Sequence, residues 1–472
     1  MNNGISKGNA ISASMILLVV GIGAFMDGLD GAIVNVSLPQ IASGLNADLG
    51  AASLVVTVYL VMLSAFMIIF AKSSVFIGIK RTYTAGLLIF TVSSLLCAAS
   101  WSIESLIAFR AVQGLGAAMI APSAIATIAI HIKESERAKS LGIIAAASAL
   151  AFAIGPVAGG LLTEYLSWHW IFLINLPIGI IGIILAKYIL PSDNKKPFNR
   201  ADFDYAGSVL FIIAMALFIL PLGFLGAKQE GFINPAYLLG MSVLFFLFFA
   251  ATEKKAKDPL IDMILFSDKN FTYSTVSYSA AMLSYGGLIL ILPFYFEYIM
   301  SLTPGQSGLY LLIPSVLITI LSPIGGNLAD KKGARLICSV SAAVFILSFT
   351  VILLSFGLKD IFWVILALII MGIGLGPFMS AGSSRIIEHS GDGKKEMASG
   401  IMSTSIYFGT ALGTALFTAI LTFFSGSSGL KGGMEISASQ FMTGFNSAII
   451  AGIIFCIIIA ITAYLAHDKI KK

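Results

Sequence analysis

Residues 13–39 read ASMILLVVGIGAFMDGLDGAIVNVSLP. The run is apolar and long enough to cross about 30 Å of hydrocarbon as a helix, yet it carries two acids, Asp27 and Asp30. A carboxylate at that depth is costly, so it faces a protein interior or a watery cavity and marks a proton or cation site by default. The two acids are one turn apart and project from one face. The run is too long for a signal-peptide h-region, and no Ala-x-Ala-like cleavage site follows it, so it reads as a retained helix.

The rest of the chain extends this reading. Of 472 residues, 58% are hydrophobic and only 11% charged, against about 25% charged in soluble domains. About fourteen apolar runs have spanning length: 13–36, 52–71, 82–101, 105–130, 138–163, 168–190, 204–225, 235–252, 272–296, 306–327, 336–356, 361–383, 397–424 and 443–466. A β-barrel would show short alternating segments instead. The expected fold is an all-α integral membrane protein.

Charge placement tests the number of spans. With the N-terminus inside, the Lys and Arg residues fall in the inner loops and tails, save Lys228, Lys359 and Lys431 outside and Arg110 within a run. That is the positive-inside pattern, and a miscounted helix would invert it downstream. Both termini are therefore expected in the cytoplasm. The net charge of +5 is a topology signal: the basic residues form no single patch, which argues against nucleic acid. Cys97, Cys338 and Cys456 offer neither a disulfide framework nor a metal spacing, and the four histidines are scattered. No Walker-type G-x-x-x-x-G-K-[ST] occurs, so ATP is not the expected drive.

Six spans precede the polar stretch Pro191-Ser192-Asp193-Asn194-Lys195-Lys196-Pro197, and six follow residue 271. The expected organisation is an N-terminal six-helix bundle (1–190), a linker with two inserted helices (191–271) and a C-terminal six-helix bundle (272–472). The inner loops 71–81 and 326–335 occupy matching places if the last six spans repeat the first six. Such repeats around a midplane site characterise secondary transporters, although glycine and basic residues are common in any tight inner loop.

Four motifs in this frame resemble those of the major facilitator superfamily, in its fourteen-helix drug:proton antiporter branch. Leu29–Pro39 is similar to L-D-x-T-x-V-N-V-A-L-P, matching at Leu29, Asp30, Val34, Asn35, Val36, Leu38 and Pro39, with Ala32 and Ser37 as departures. Arg110-x-x-Gln113-Gly114-x-Gly116-Ala117-Ala118 resembles R-x-x-Q-G-x-G-A-A. Gly155-Pro156-Val157-Ala158-Gly159-Gly160, followed by Trp168-His169-Trp170, resembles the antiporter motif G-P-x-x-G-G and its W-R-W sequel, with His169 in place of Arg. The loop motif G-x-L-A-D-x-x-G-x-R matches at Gly326, Leu328, Ala329, Asp330, Gly333 and Arg335, whereas its first-half copy has Val75 for Asp and Ala71 for Gly.

The resemblance implies a proton-driven exporter of lipophilic, cationic small molecules, needing no cofactor, acting as a monomer in the plasma membrane of a prokaryote, and not an enzyme. Asp30 is the expected proton-coupling acid. Desolvation and a nearby cation act in opposite directions on a carboxyl group, and a site that alternates between proton and substrate needs that balance. Arg110 is expected to tune it without carrying the proton. Asp27 could add cation affinity, couple a second proton or line the cavity. Asp27, Asp30, Asn35, Gln113, Tyr295 and Glu297 are the expected cavity residues. Gly155, Pro156, Gly159 and Gly160 are expected to seal the pathway against the opposite bundle, and Gly326, Asp330, Gly333 and Arg335 to form a gating loop. The alternatives are a dedicated exporter of one metabolite, antibiotic or peptide-like product; an uptake symporter; a channel; and a non-transporting sensor or membrane enzyme. The last pair lacks an output domain and a convergent catalytic set.

Overall fold

A computed structural model describes residues 13–193, 203–224, 234–256, 259–355, 360–391, 394–426 and 437–468. Lys228, Lys359, Lys431 and most of the 191–203 linker lie outside the described residues. The described chain is helical throughout: α1 (Ala13–Gly44), α2 (Leu49–Ile77), α3 (Ile79–Ala98), α4 (Ile103–His131), α5 (Glu134–Tyr165), α6 (Trp170–Leu173), α7 (Asn175–Ile189), α8 (Tyr205–Ile219), α9 (Pro235–Glu253), α10 (Lys269–Tyr298), α11 (Pro304–Lys332), α12 (Ala334–Ser355), α13 (Ile361–His389), α14 (Lys395–Phe424) and α15 (Ala438–Leu465). With α6 and α7 forming one span, 14 helices have the length and composition to cross a membrane.

The helices overrun the apolar stretches that mark them. Helix α1 continues through Pro39 to Gly44, and prolines also lie inside α4, α5, α10, α11 and α13. Transmembrane helices tolerate them because neighbouring groups satisfy the freed carbonyls. By alternation of the spans, α1, α3, α5, α8, α10, α12 and α14 end, and the spans after them begin, at one end, here the far end. The start of α1 and the end of α15 lie at the other, the near end.

Side-chain caps define most helix starts. Asp48, Ser102, Asn234, Thr303, Asp360 and Ser437 cap the helices that begin at the far end, α6 excepted, with capping boxes at Ser102, Thr303 and Ser437. At the near end α3 and α12 take their caps from a distance. Each follows a positive-φ glycine, Gly78 (φ 108°) and Gly333 (φ 89°). Asp193, just past α7, accepts the amides of Lys80 (2.7 Å) and Arg81 (3.3 Å). Asp468, just past α15, accepts the Arg335 amide at 2.9 and 3.1 Å. The weak echo between loops 71–81 and 326–335 is thus an equivalence in space: in each half a carboxylate beyond the last helix holds the start of the third. Asp193→Ala and Asp468→Ala are each expected to cost about 0.5–2 kcal/mol, the usual worth of an N-terminal cap, read as a lower thermal midpoint in detergent.

The first half packs α1 on α5 and α4 on α2 and α3; the second repeats this with α10 on α14 and α13 on α11 and α12. Helices α8 and α9 pair with each other, and α8 leans on α2. The segment leading to α10 touches both halves, through Lys72 Nζ donating to the Pro259 carbonyl (2.5 Å) and Lys394 Nζ pairing with Asp262 (2.5 Å).

Candidate functional site

Helix α4 places Arg110 and Gln113 one turn apart on one face, against α1. Arg110 is 1% exposed and Asp30 fully buried. Arg110 Nη1 donates to Asp30 Oδ2 at 2.6 Å and to Gln113 Oε1 at 2.6 Å, while its Nε donates to the Val55 carbonyl at 3.0 Å. Gln113 Nε2 donates to Asp30 Oδ1 (2.9 Å) and Ser94 Oγ (2.9 Å), and Asn175 Nδ2 reaches Asp30 Oδ1 at 3.3 Å. Breaking a buried pair by removing one partner leaves an uncompensated charge, and this one is held from α1, α2, α3, α4 and α7 at once.

Asp27, one turn before Asp30, is built differently. It is partly exposed and has no ion-pair partner among the described residues. Its two oxygens accept phenol hydroxyls: Tyr59 Oη of α2 at 3.1 Å on Oδ1, and Tyr407 Oη of α14 at 2.8 Å on Oδ2. Tyr59 lies within Asp27's own half, and Tyr407 belongs to the other. The Tyr59 ring also lies under the Arg110 guanidinium, 4.1 Å from its centroid, with Phe172 at 5.8 Å. A continuous set of contacts therefore runs from Asp30 through Arg110 and Tyr59 to Asp27 and into α14.

Several expected cavity residues lie elsewhere. Asp30, Gln113 and Tyr295 are enclosed within their own halves, at 0%, 0% and 2% exposure. Asp30 and Gln113 are drawn inward by Arg110, and Tyr295 packs against Phe445 of α15 with ring centroids 5.0 Å apart. Asn35 turns back along α1 to the Gly31 carbonyl (3.2 Å). Glu297 stands near the far end of α10, where Gln40 Nε2 donates to it at 2.6 Å across the halves.

That bond belongs to a wider closure. Glu164, at the end of α5, accepts the Gly305 amide at the start of α11 (2.8 Å), and Thr57 meets Thr414 at 3.0 Å. With Asp27–Tyr407, these hydrogen bonds join the halves among the described residues, and they run from the middle of the bundle to its far end. The antiporter-motif glycines divide between two surfaces. A Cβ on Gly155 would lie 2.6 Å from Ala32 Cβ, and one on Gly159 would strike the Ile33 carbonyl, so both glycines serve contact with α1 inside the first half. Across the halves, a Cβ on Gly160 would strike the Pro304 carbonyl of α11, while Gly308 of α11 abuts the Pro156 carbonyl. Of the four residues expected to seal the pathway, Pro156 and Gly160 are the ones placed against the opposite bundle, while Gly155 and Gly159 are not. His169 stacks on Trp168 at 3.7 Å; burial holds it below the ordinary histidine range, so it does not restore the charge of the family's Arg.

In the expected gating loop, Arg335 Nε donates to the Tyr464 carbonyl (2.8 Å), its guanidinium covers the Tyr464 ring at 4.3 Å, and Asp330 stands exposed. A Cβ on Gly326 would lie 2.6 Å from Ser380 Oγ. Val75 lines a cavity of about 140 Å³ with Lys80, His131 and Asp193. Three residues of consequence carry no sequence signal of their role: Tyr59, Tyr407 and Arg385. Arg385 is 1% exposed, within the last turns of α13, and donates to the Ala463 (3.1 Å) and Ala466 carbonyls, closing the end of α15. The apolar run 361–383 stops short of it, whereas the helix continues to His389.

Comparison with known proteins agrees with this architecture. The Major Facilitator Superfamily model matches residues 20–252 and 274–472. The chain is 32% identical to the riboflavin transporter RibZ of Clostridioides difficile (strain 630) over 406 residues, 86% of this chain and 87% of that protein. It is 28% identical to multidrug resistance protein 3 of Bacillus subtilis (strain 168) over 451 residues, 91% and 85% of the two chains. A bacterial homologue of the human lysosomal transporter Spinster, in an inward-facing and unoccupied conformation, superposes with a TM-score of 0.67 at 15% identity, covering 98% of this chain and 97% of that one. The chain is a multi-pass membrane protein of the major facilitator superfamily, a family of transporters.

Proposed function

We propose that the protein is a proton-coupled antiporter that exports lipophilic cations by alternating access, with Asp27 as the carboxylate for which proton and cation compete. One observation carries this reading: a partly exposed carboxylate midway along a spanning helix, without an ion-pair partner among the described residues, and bonded by a tyrosine from each half. The site offers a cation one negative charge and the partly exposed ring of Tyr407. The fully engaged Asp30–Arg110 pair positions Tyr59 and, through it, Asp27.

The distribution of Lys and Arg supports cytoplasmic termini in a plasma membrane, which makes the far end the outer one. A bundle shut at that end, acting as a monomer, releases a proton from Asp27 to the cytoplasm and takes a cation there. After the halves rock, an incoming proton displaces the cation to the outside. The proton gradient supplies the drive, and no cofactor is needed.

Inside-out vesicles with an imposed proton gradient and ethidium test this. Wild type is expected to accumulate dye until an uncoupler is added, and Asp27→Asn to lose at least about tenfold in rate, the equivalent of 1.4 kcal/mol. Accumulation by Asp27→Asn at the wild-type rate would sink the assignment. The similarity to RibZ favours a second reading, a dedicated carrier of a neutral ring system such as riboflavin. Gradient-dependent riboflavin flux that Asp27→Asn leaves intact, with no dye transport, would select it.

A further inference from the structure

Among the hydrogen bonds that join the halves in the described residues, Asp27–Tyr407 alone has an end on the candidate binding carboxylate; Gln40–Glu297, Glu164–Gly305 and Thr57–Thr414 touch neither Asp27 nor the Asp30–Arg110 pair. We propose that Tyr407 is the residue through which the second half senses what occupies Asp27, its hydroxyl forming a latch that a proton preserves and a bound cation releases. The inference rests on the export reading for the identity of the ligand, and on geometry for the latch.

The two exchanging ligands differ in what they do to this bond. A carboxylate has two oxygens and only acceptor sites, and here the phenols of Tyr59 and Tyr407 take one oxygen each. A proton adds a donor without bulk, so a neutral Asp27 still exchanges a hydrogen bond with Tyr407. A lipophilic cation takes the carboxylate by a charged contact, stronger than a neutral phenol can offer, and occupies the space between the halves. The displaced phenol is Tyr407, because Tyr59 is held under Arg110 within Asp27's own half. Ligands that bind two conformations unequally shift the balance between them. Loss of the latch weakens the far-end-shut state, and reprotonation restores it, which is the order an antiporter needs.

Helix α14 can transmit the release. Two and six residues past Tyr407, Gly409 and Gly413 bring α14 against the Ser279 and Leu283 carbonyls of α10 without an intervening side chain. Phe408 stacks on Phe218 of α8, with centroids 6.2 Å apart. Among the described residues, the titratable and charged groups facing Asp27 are Tyr59, Tyr407 and Asp30, with Arg110 beyond the Tyr59 ring. Only Tyr407 is contributed by the second half.

The test uses the full chain in proteoliposomes, with spin labels on Trp101→Cys and Phe424→Cys, one exposed far-end site in each half; the native cysteines are buried. Without ligand, Tyr407→Phe is expected to move the label pair toward long separations, raising the long-to-short population ratio about fivefold, the worth of one ordinary hydrogen bond. Tyr59→Phe, which removes a bond within one half, is expected to leave the distribution in place. Tetraphenylphosphonium is expected to shift wild type the same way, to add little in Tyr407→Phe, and to bind that variant as tightly as wild type or a few-fold tighter. An unchanged distribution in Tyr407→Phe, or an equal shift in Tyr59→Phe, overturns the latch. Failure of wild type to bind the cation overturns the export reading, and the ligand-free comparison then still decides the latch.

Discussion

Arg110→Ala is expected to lower stability by about 3–5 kcal/mol, the cost of leaving one member of a buried ion pair alone, and to abolish transport. The expectation follows from the enclosure of the pair: Asp30 is fully buried, and its other partners, Gln113 and Asn175, are neutral amides. Against a total of about 5–15 kcal/mol for a typical domain, such a loss is read directly as a large fall in thermal midpoint in detergent. Arg110→Lys should fall between, since an ammonium can meet Asp30 but cannot reproduce the fork that also reaches Val55. The double variant Asp30→Asn/Arg110→Gln separates charge from structure. It is expected to regain most of the stability while transport stays lost, because the neutral pair no longer fixes the Tyr59 ring. A thermal midpoint unchanged in Arg110→Ala would overturn the part assigned to the buried pair in holding the fold.

The second large effect is expected at the divided antiporter motif. Gly160→Val places its side chain on the Pro304 carbonyl across the halves, whereas Gly159→Val drives into Ile33 within the first half. Each overpacking should cost about 1–3 kcal/mol, but against different equilibria. Gly159→Val is expected to lower the unfolding midpoint. Gly160→Val is expected to stay folded, with an unfolding midpoint close to wild type, and to lose at least about tenfold in transport. Equal behaviour of the two variants would mean that Gly160 does not face a moving surface.

The division within that motif shows where sequence reasoning stops. The spacing of Gly155, Pro156, Gly159 and Gly160 identifies a smooth helix face, but small residues look alike whether they meet a partner in the same half or across the halves. Asp27 and Asp30 are similar in this respect. Their depth in the first span is legible because apolar length and rare charges are local properties of the chain. Their different fates are not legible, because the groups that separate them, Arg110, Tyr59 and Tyr407, arrive from residues up to 380 positions away. The carboxylate caps at Asp193 and Asp468 make the same point: each reads as an ordinary polar residue after a helix until the returning chain lays it on a positive-φ glycine of its own half.

The sequence by itself determined the solvent, the number of spans and the family, since membrane-length apolar runs, the bias of Lys and Arg between loops, and fixed motif spacings are all written along one dimension. Tertiary structure alone decided which acid is buried against arginine and which lies between the halves, which end of the bundle is shut, and that Tyr407 binds Asp27. These depend on pairs of side chains brought within about 3 Å by helices distant in sequence, and hydrophobic patterning, which is non-directional, does not select among such pairs.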